Sequence, residues 1–144
     1  MPIDPSEFNE ITGRILAGAI EVHRTLGPRL LEAIYAPCLQ YELAARKLRY
    51  LTERTVPIVY KILAFDGRYR VDLIVEGVVV VELKAIATLA PIHEAQVLTY
   101  MRLANCPAGL LINFNVPRLM DGVKRLLNPR ASGHRRTEIT ERTE

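Results

Sequence analysis

The sequence is poor in the features that mark several classes of protein. It contains no tryptophan. No apolar run approaches the ~20 residues that a transmembrane helix needs, so a membrane protein is not expected. The two cysteines, Cys38 and Cys106, form no CxxC pair and are too few for a disulfide scaffold, so both are expected to be reduced and structural. The opening Met-Pro-Ile-Asp-Pro lacks the basic and apolar regions of a secretory signal. These absences favour a cytoplasmic protein.

The composition that remains is that of a globular protein. Of the 144 residues, 49% are hydrophobic and 24% are charged, which argues against a disordered, collagen-like or coiled-coil chain. The net charge is only +3, but 15 of the 19 basic residues are arginine. Arginine suits phosphate, so this composition is compatible with nucleic-acid binding, and equally with a solvated surface of mixed charge.

Three segments carry the apolar spacing of three and four residues that is typical of helices. They lie at about residues 6–26, 30–48 and 92–103. The second contains Pro37 beyond its first turn, where the missing N–H and the ring should kink a helix.

Segments rich in β-branched residues predict strands between and after these helices. They lie at residues 56–62, 68–75, 78–84 and 108–114. Asp66-Gly67 is a turn signal, and the valine-rich third strand is expected to be central and buried on both faces. Residues 122–127 are compatible with a last strand or a short helix.

The order of these elements predicts an α/β fold in which a mixed central sheet is flanked by helices. The length fits a single domain, which we place at residues 1–128. The composition then becomes polar, and residues 129–144 are expected to form a flexible polar tail.

Three charged residues lie where two predicted strands meet. Glu82 and Lys84 share one face of their strand because side chains alternate. Asp72 and Glu82 flank the Glu76-Gly77 turn, so in a hairpin closed there they are opposite or diagonal neighbours. Close carboxylates repel each other unless a cation or a proton intervenes, and a hard cation such as Mg²⁺ prefers oxygen ligands. The pattern therefore predicts a metal site that presents water to a phosphate.

Lys84 is expected beside that water. Its charge can stabilise the attacking hydroxide, orient it, or offset charge that develops on the phosphoryl oxygens. The alternative is that Glu82 and Lys84 form an exposed charge pair worth less than ~1 kcal/mol. The apolar run Val78 to Val81 weighs against that alternative, because charges beside a fully apolar strand need a reason.

Asp72 with Glu82-Leu83-Lys84 resembles the PD-(D/E)XK nuclease superfamily, whose restriction-endonuclease-like core runs α-β-β-β-α-β. More narrowly, the chain is similar to the small family named for its GxxExxY motif. Five stretches carry this resemblance in order. They are Leu-Gly-Pro-Arg-Leu-Leu-Glu-Ala-Ile-Tyr (26–35), Tyr-Arg-Val-Asp-Leu-Ile-Val-Glu (69–76), Val-Glu-Leu-Lys-Ala (81–85), His-Glu-Ala-Gln-Val-Leu-Thr-Tyr (93–100) and Gly-Leu-Leu-Ile-Asn-Phe (109–114).

The resemblance implies a larger set of site residues. Glu32 and the Leu83 carbonyl would join Asp72 and Glu82 around Mg²⁺, or Mn²⁺, and Lys84 would be the catalytic lysine. Substrate-binding roles would fall on four further residues, Tyr35, His93, Gln96 and Tyr100. Each has a structural alternative: Glu32 can offset a helix dipole, Tyr35 can pack in the core, and the other three can satisfy hydrogen bonds or pack locally.

One position departs from the motif. The family glycine aligns with Arg29, although Gly27 is present two residues earlier. If that glycine needs a positive φ, Arg29 is strained or the loop differs.

The leading functional hypothesis is a Mg²⁺-dependent nuclease that hydrolyses phosphodiester bonds, with DNA as the expected nucleic-acid partner. The rival is a non-catalytic module of nuclease ancestry that binds nucleic acid or assembles with itself. A homodimer is compatible with either hypothesis.

Overall fold

The computed structural model describes residues 5–128, so the predicted tail at 129–144 lies outside the described residues. The elements follow the predicted order of two helices, three strands, a helix and a strand, and a further strand ends the described part. They are α1 (Pro5–Leu26), α2 (Glu32–Ala45), β1 (Tyr50–Tyr60), β2 (Leu63–Val75), β3 (Val79–Lys84), α3 (Pro91–Ala104), β4 (Ala108–Asn113), a 3₁₀ turn (Leu119–Gly122) and β5 (Val123–Leu127). None of the helices in this part of the chain is long and apolar enough to cross a bilayer.

The five strands form one mixed sheet in the order β1-β2-β3-β4-β5. Only β3 and β4 run parallel, because α3 carries the chain across the sheet between them; the other neighbours are antiparallel. Buried residues of α1 and α2 pack on one face of the sheet, and buried residues of α3 pack on the other. The predicted α/β fold, with β3 central and fully buried along Val79–Leu83, is confirmed.

Two local predictions meet different outcomes. Pro37 lies inside α2, yet the helix continues past it to Ala45. Of the ambiguous residues 122–127, Gly122 ends the 3₁₀ turn and Val123–Leu127 form a strand that pairs with β4.

The predicted turn at Asp66-Gly67 is wrong. The β1–β2 hairpin reverses at Lys61 and Ile62, because Tyr60 pairs with Leu63. Between the Val56–Tyr69 and Ile58–Phe65 pairs, residues 66–68 bulge opposite the single residue 57. A proline at position 57 cannot donate to the ladder, and Gly67 adopts a φ of 74°, so the turn chemistry is used for a bulge inside a strand.

Candidate functional site: a strand fork with three acids

The charged residues lie at a fork where β2 and β3 separate. The ladder between these strands ends at the Leu73–Val81 pair. One residue further, side chains replace the ladder: the Asp72 N–H donates to Glu82 Oε1 at 2.8 Å, and the Leu83 N–H donates to Asp72 Oδ2 at 2.9 Å. The two carboxylates are therefore neighbours, as predicted, and each is fixed by the other strand's backbone.

Each carboxylate keeps one oxygen free of these bonds. Asp72 Oδ1 and Glu82 Oε2 accept no hydrogen bond from the described part of the chain. Two carboxyl oxygen atoms of fixed position are thus available at the fork.

Lys84 continues the strand beyond the fork. Val80 packs with the buried residues of α3 (the α3 cluster), whereas Leu83 packs with the buried residues of α1 and α2. Because side chains alternate along a strand, Glu82 and Lys84 lie on the α3 face with Val80. Lys84 is partly exposed and forms no ion pair with any acid among residues 5–128. Its charge nevertheless lowers the pKa of Glu82, so the ammonium lies near the acids without being neutralised by a direct contact.

Glu32 faces the fork from the first turn of α2. It lines an open cavity of about 320 Å³ together with Asp72 and Leu83. Two small residues of α2, Ala33 and Ala36, also line this cavity, and their short side chains leave it open between the helix and the strands. The structure therefore brings together Glu32, Asp72 and the Leu83 segment, which come from three separate elements.

The site holds more negative charge than its own residues balance. Burial and the neighbouring Asp72 carboxylate raise the pKa of Glu82 from 4.5 to about 8. Partial burial also raises the pKa of Asp72, although the Leu83 N–H and Lys84 oppose this shift. The pKa of Glu32 is raised by desolvation and by Asp72. At neutral pH the fork must therefore take up a proton or a cation.

A family comparison agrees with this geometry. A sequence model of the PD-(D/E)XK nuclease superfamily matches residues 9–126. The chain belongs to the PD-(D/E)XK nuclease superfamily. Comparisons with curated proteins and with solved structures give no significant match. The narrower GxxExxY assignment stays a prediction.

PD-(D/E)XK nucleases typically use divalent metals, and the donors at the fork are chemically suited to such an ion. Within residues 5–128, no three His, Cys, Asp or Glu side chains already converge as a metal-binding cluster. The two free carboxylate oxygens at the fork and Glu32 on the cavity wall are all oxygen donors, and their charge is uncompensated. This chemistry suits Mg²⁺ or Mn²⁺ rather than a soft metal.

Three predicted substrate residues lie on α3, and two of them, Gln96 and Tyr100, contact each other. Gln96 is exposed, and its Nε2 donates to Tyr100 Oη at 3.1 Å. Burial raises the pKa of Tyr100, and the nearby Glu82 adds to the shift, which places the phenol beside the fork. The Tyr100 hydroxyl proton has no acceptor among the described residues, so it is available for donation.

The other two predicted substrate residues make structural contacts. Tyr35 is fully buried: its ring stacks on Phe114 with centroids 4.4 Å apart, and its hydroxyl donates to the Gly27 carbonyl at 2.5 Å. His93 Nδ1 accepts the Ala90 N–H at 2.8 Å, which caps the start of α3. These contacts favour the packing and capping alternatives for both residues.

The departure at Arg29 has a structural consequence. Its φ is 79°, in the left-handed region that glycine adopts freely. Its N–H donates to Asn115 Oδ1 at 3.1 Å, which ties the loop before Glu32 to the end of β4. The loop therefore keeps the conformation that a glycine would adopt, with strain at a non-glycine residue.

Sequence reasoning missed Glu53. This residue of β1 lines the same cavity as Glu32 and Asp72, and its carboxylate lies 3.5 Å from the Arg70 guanidinium. An isolated glutamate in an edge strand gives no sequence signal of a site. Its φ of 48° breaks the alternation of β1 and is visible only in the structure.

Proposed function

We propose that this chain is a metal-dependent nuclease that hydrolyses phosphodiester bonds in nucleic acid, with DNA as the substrate. The observation that carries this proposal is the fork itself. Asp72 and Glu82 are locked by hydrogen bonds to each other's strands, and each keeps an oxygen for a cation. Membership of a superfamily whose members are generally nucleases supports it.

The proposed ligands are Asp72, Glu82, Glu32 and the Leu83 carbonyl. When bound there, Mg²⁺ or Mn²⁺ would lower the pKa of water and offset charge on the phosphate. The acids hold and orient the cation, and the small residues Ala33 and Ala36 leave room for it on the α2 side of the fork.

Lys84 is the proposed catalytic residue on the α3 face. A positive charge without a direct carboxylate partner supports a role toward water or phosphoryl oxygens, since it is not consumed by a structural ion pair within residues 5–128. Tyr100 and Gln96 lie on the adjoining helix, where hydroxyl and amide donors suit phosphate.

Removing the charged groups tests the proposal. We expect Lys84→Ala and Asp72→Ala each to lower divalent-dependent cleavage of DNA at least about 100-fold, because each removes a charge that acts on the transition state. Lys124→Ala, an exposed lysine of β5, is the matched control and should cleave like the wild type. Circular dichroism establishes that the variants are folded. Wild-type cleavage by the Lys84→Ala, Asp72→Ala double variant would disprove the proposal.

A non-catalytic assembly module is the alternative, and the hairpin tip favours it. Val59, Tyr60 and Ile62 are 68%, 60% and 97% exposed, so an apolar tip projects from the sheet. Exposed apolar patches often mark interfaces, here with a second copy in a homodimer. Titration calorimetry discriminates between the two functions: no uptake of millimolar Mg²⁺ or Mn²⁺ would favour the module.

A further inference from the structure

A second tyrosine, Tyr69, lies on the α3 side of the fork. It belongs to the part of β2 that pairs only with β1, three residues before Asp72. It is opposite Val56, which packs in the α3 cluster with Tyr100, so Tyr69 lies on the α3 face. The two phenols are close enough for Tyr69 to contribute to the raised pKa of Tyr100. Whereas Tyr100 is only 7% exposed, Tyr69 is 50% exposed and presents a ring to solvent.

A positively charged side chain, that of Arg54, lies on the same face. Arg54 pairs with Val71 and is two residues from Val56, so it shares the face and lies one step along the ladder from Tyr69. It is partly exposed and forms no ion pair with an acid in the described part of the chain. An aromatic ring beside an unneutralised guanidinium is the combination that holds a base and its phosphate.

We propose that Tyr69, beside the buried Tyr100, forms a tyrosine shelf on which an unpaired base of the substrate stacks, with Arg54 contacting the adjacent phosphate. This inference rests on the proposed nuclease function and specifies its substrate class: nucleic acid that is single-stranded at the cleavage site. Bases inside a duplex already stack on their neighbours, so they cannot offer a free face to Tyr69. An unpaired base has that face available, and its stacking on an aromatic ring tolerates any sequence.

The absence of tryptophan makes the shelf directly testable. In the Tyr69→Trp variant the introduced indole is the only one in the chain, so its fluorescence reports base stacking. We expect saturable quenching in EDTA by oligodeoxyuridylate or oligouridylate, which differ only in the sugar, with at least about tenfold weaker binding of a blunt duplex of equal phosphate number. The tighter of the two single strands identifies the natural sugar. Tyr41→Trp, at a 72% exposed position of α2, is the control and should not be quenched.

Kinetics give a second measurement that a merely structural tyrosine would not satisfy. We expect Tyr69→Ala to raise KM for a single-stranded substrate about tenfold with kcat unchanged, and Tyr69→Phe to retain the wild-type KM, because stacking needs the ring and not the hydroxyl. Equal quenching of the Tyr69→Trp variant by duplex and single strand, or an unchanged KM in Tyr69→Ala, would overturn the shelf.

The two proposals fail separately. If the wild type shows no divalent-dependent cleavage while single strands quench the Tyr69→Trp variant, the nuclease proposal falls and the shelf stands as a binding site. If cleavage depends on Lys84 but Tyr69→Ala is neutral, the nuclease stands and the shelf falls.

Discussion

Replacing Glu82 by glutamine should change how the stability of the metal-free protein depends on pH. The pKa of Glu82 rises from 4.5 to about 8 on folding, mainly through burial. Folding therefore favours the protonated carboxyl. The resulting stability is fully present below pH 4.5 and is lost as the pH rises through 8. At about 1.4 kcal/mol per pKa unit, the loss by pH 9 is on the order of 4–5 kcal/mol.

Glutamine at this position is neutral at every pH, and its amide oxygen can still accept the Asp72 N–H. In EDTA, urea unfolding should give similar free energies for wild type and Glu82→Gln near pH 5. By pH 9 the variant should be more stable, with a Tm roughly 10–15 °C higher. Glu10→Gln, an exposed acid of α1, should follow the wild type throughout. Parallel curves for wild type and Glu82→Gln from pH 5 to 9 would refute the reasoning.

Three further predictions concern the site and its supporting loop. Binding of Mn²⁺ at pH 7 should release close to one proton, because Glu82 has a pKa of about 8 without metal. Calorimetry in buffers of different ionisation enthalpy measures the number of protons released, and a value of zero would contradict the prediction. Arg29→Gly should raise the free energy of unfolding by about 1 kcal/mol, because glycine adopts the φ of 79° without strain. Gly27→Ala, at a φ of 72°, should lower the free energy of unfolding by a similar amount. Changes of the opposite sign would exclude backbone strain at both positions. Tyr35→Phe should lower the free energy of unfolding, measured in urea, by about 1–2 kcal/mol, because it leaves the Gly27 carbonyl and the Leu30 N–H without their partner. An unchanged urea midpoint would argue against a stabilising role of the Tyr35 hydroxyl.

The elements that carry strong periodicity could be predicted from the sequence. The β3 valines alternate between two cores, and both faces are covered, so an uninterrupted apolar strand predicts its own central position. The hairpin end could not be predicted, because Asp66-Gly67 has the same local chemistry in a turn and in a bulge. Only the pairing of Tyr60 with Leu63 decides between them.

The candidate site was predictable only where neighbours in space are also neighbours across one turn. Asp72 and Glu82 flank the short connection between β2 and β3, so their proximity follows from the hairpin. Glu32 has no such link to the strands, and only the resemblance suggested it. Tyr69 and Glu53 depend on the register of the long β1–β2 hairpin, which the misplaced turn would have shifted.

The fork explains why two acids can be held close together before any cation binds. Ordinary ladder bonds would continue past Leu73 and Val81 and would bring the strands together; here one oxygen of each acid takes the place of a carbonyl acceptor. Each carboxylate thus satisfies a buried N–H with one oxygen and leaves the other unsatisfied. The fold supplies the positioning, and the remaining cost is electrostatic, because burial and mutual repulsion keep Glu82 protonated up to a pH of about 8. A cation that displaces this proton gains two pre-oriented oxygens, so metal affinity should be set by charge and pH rather than by folding of the site.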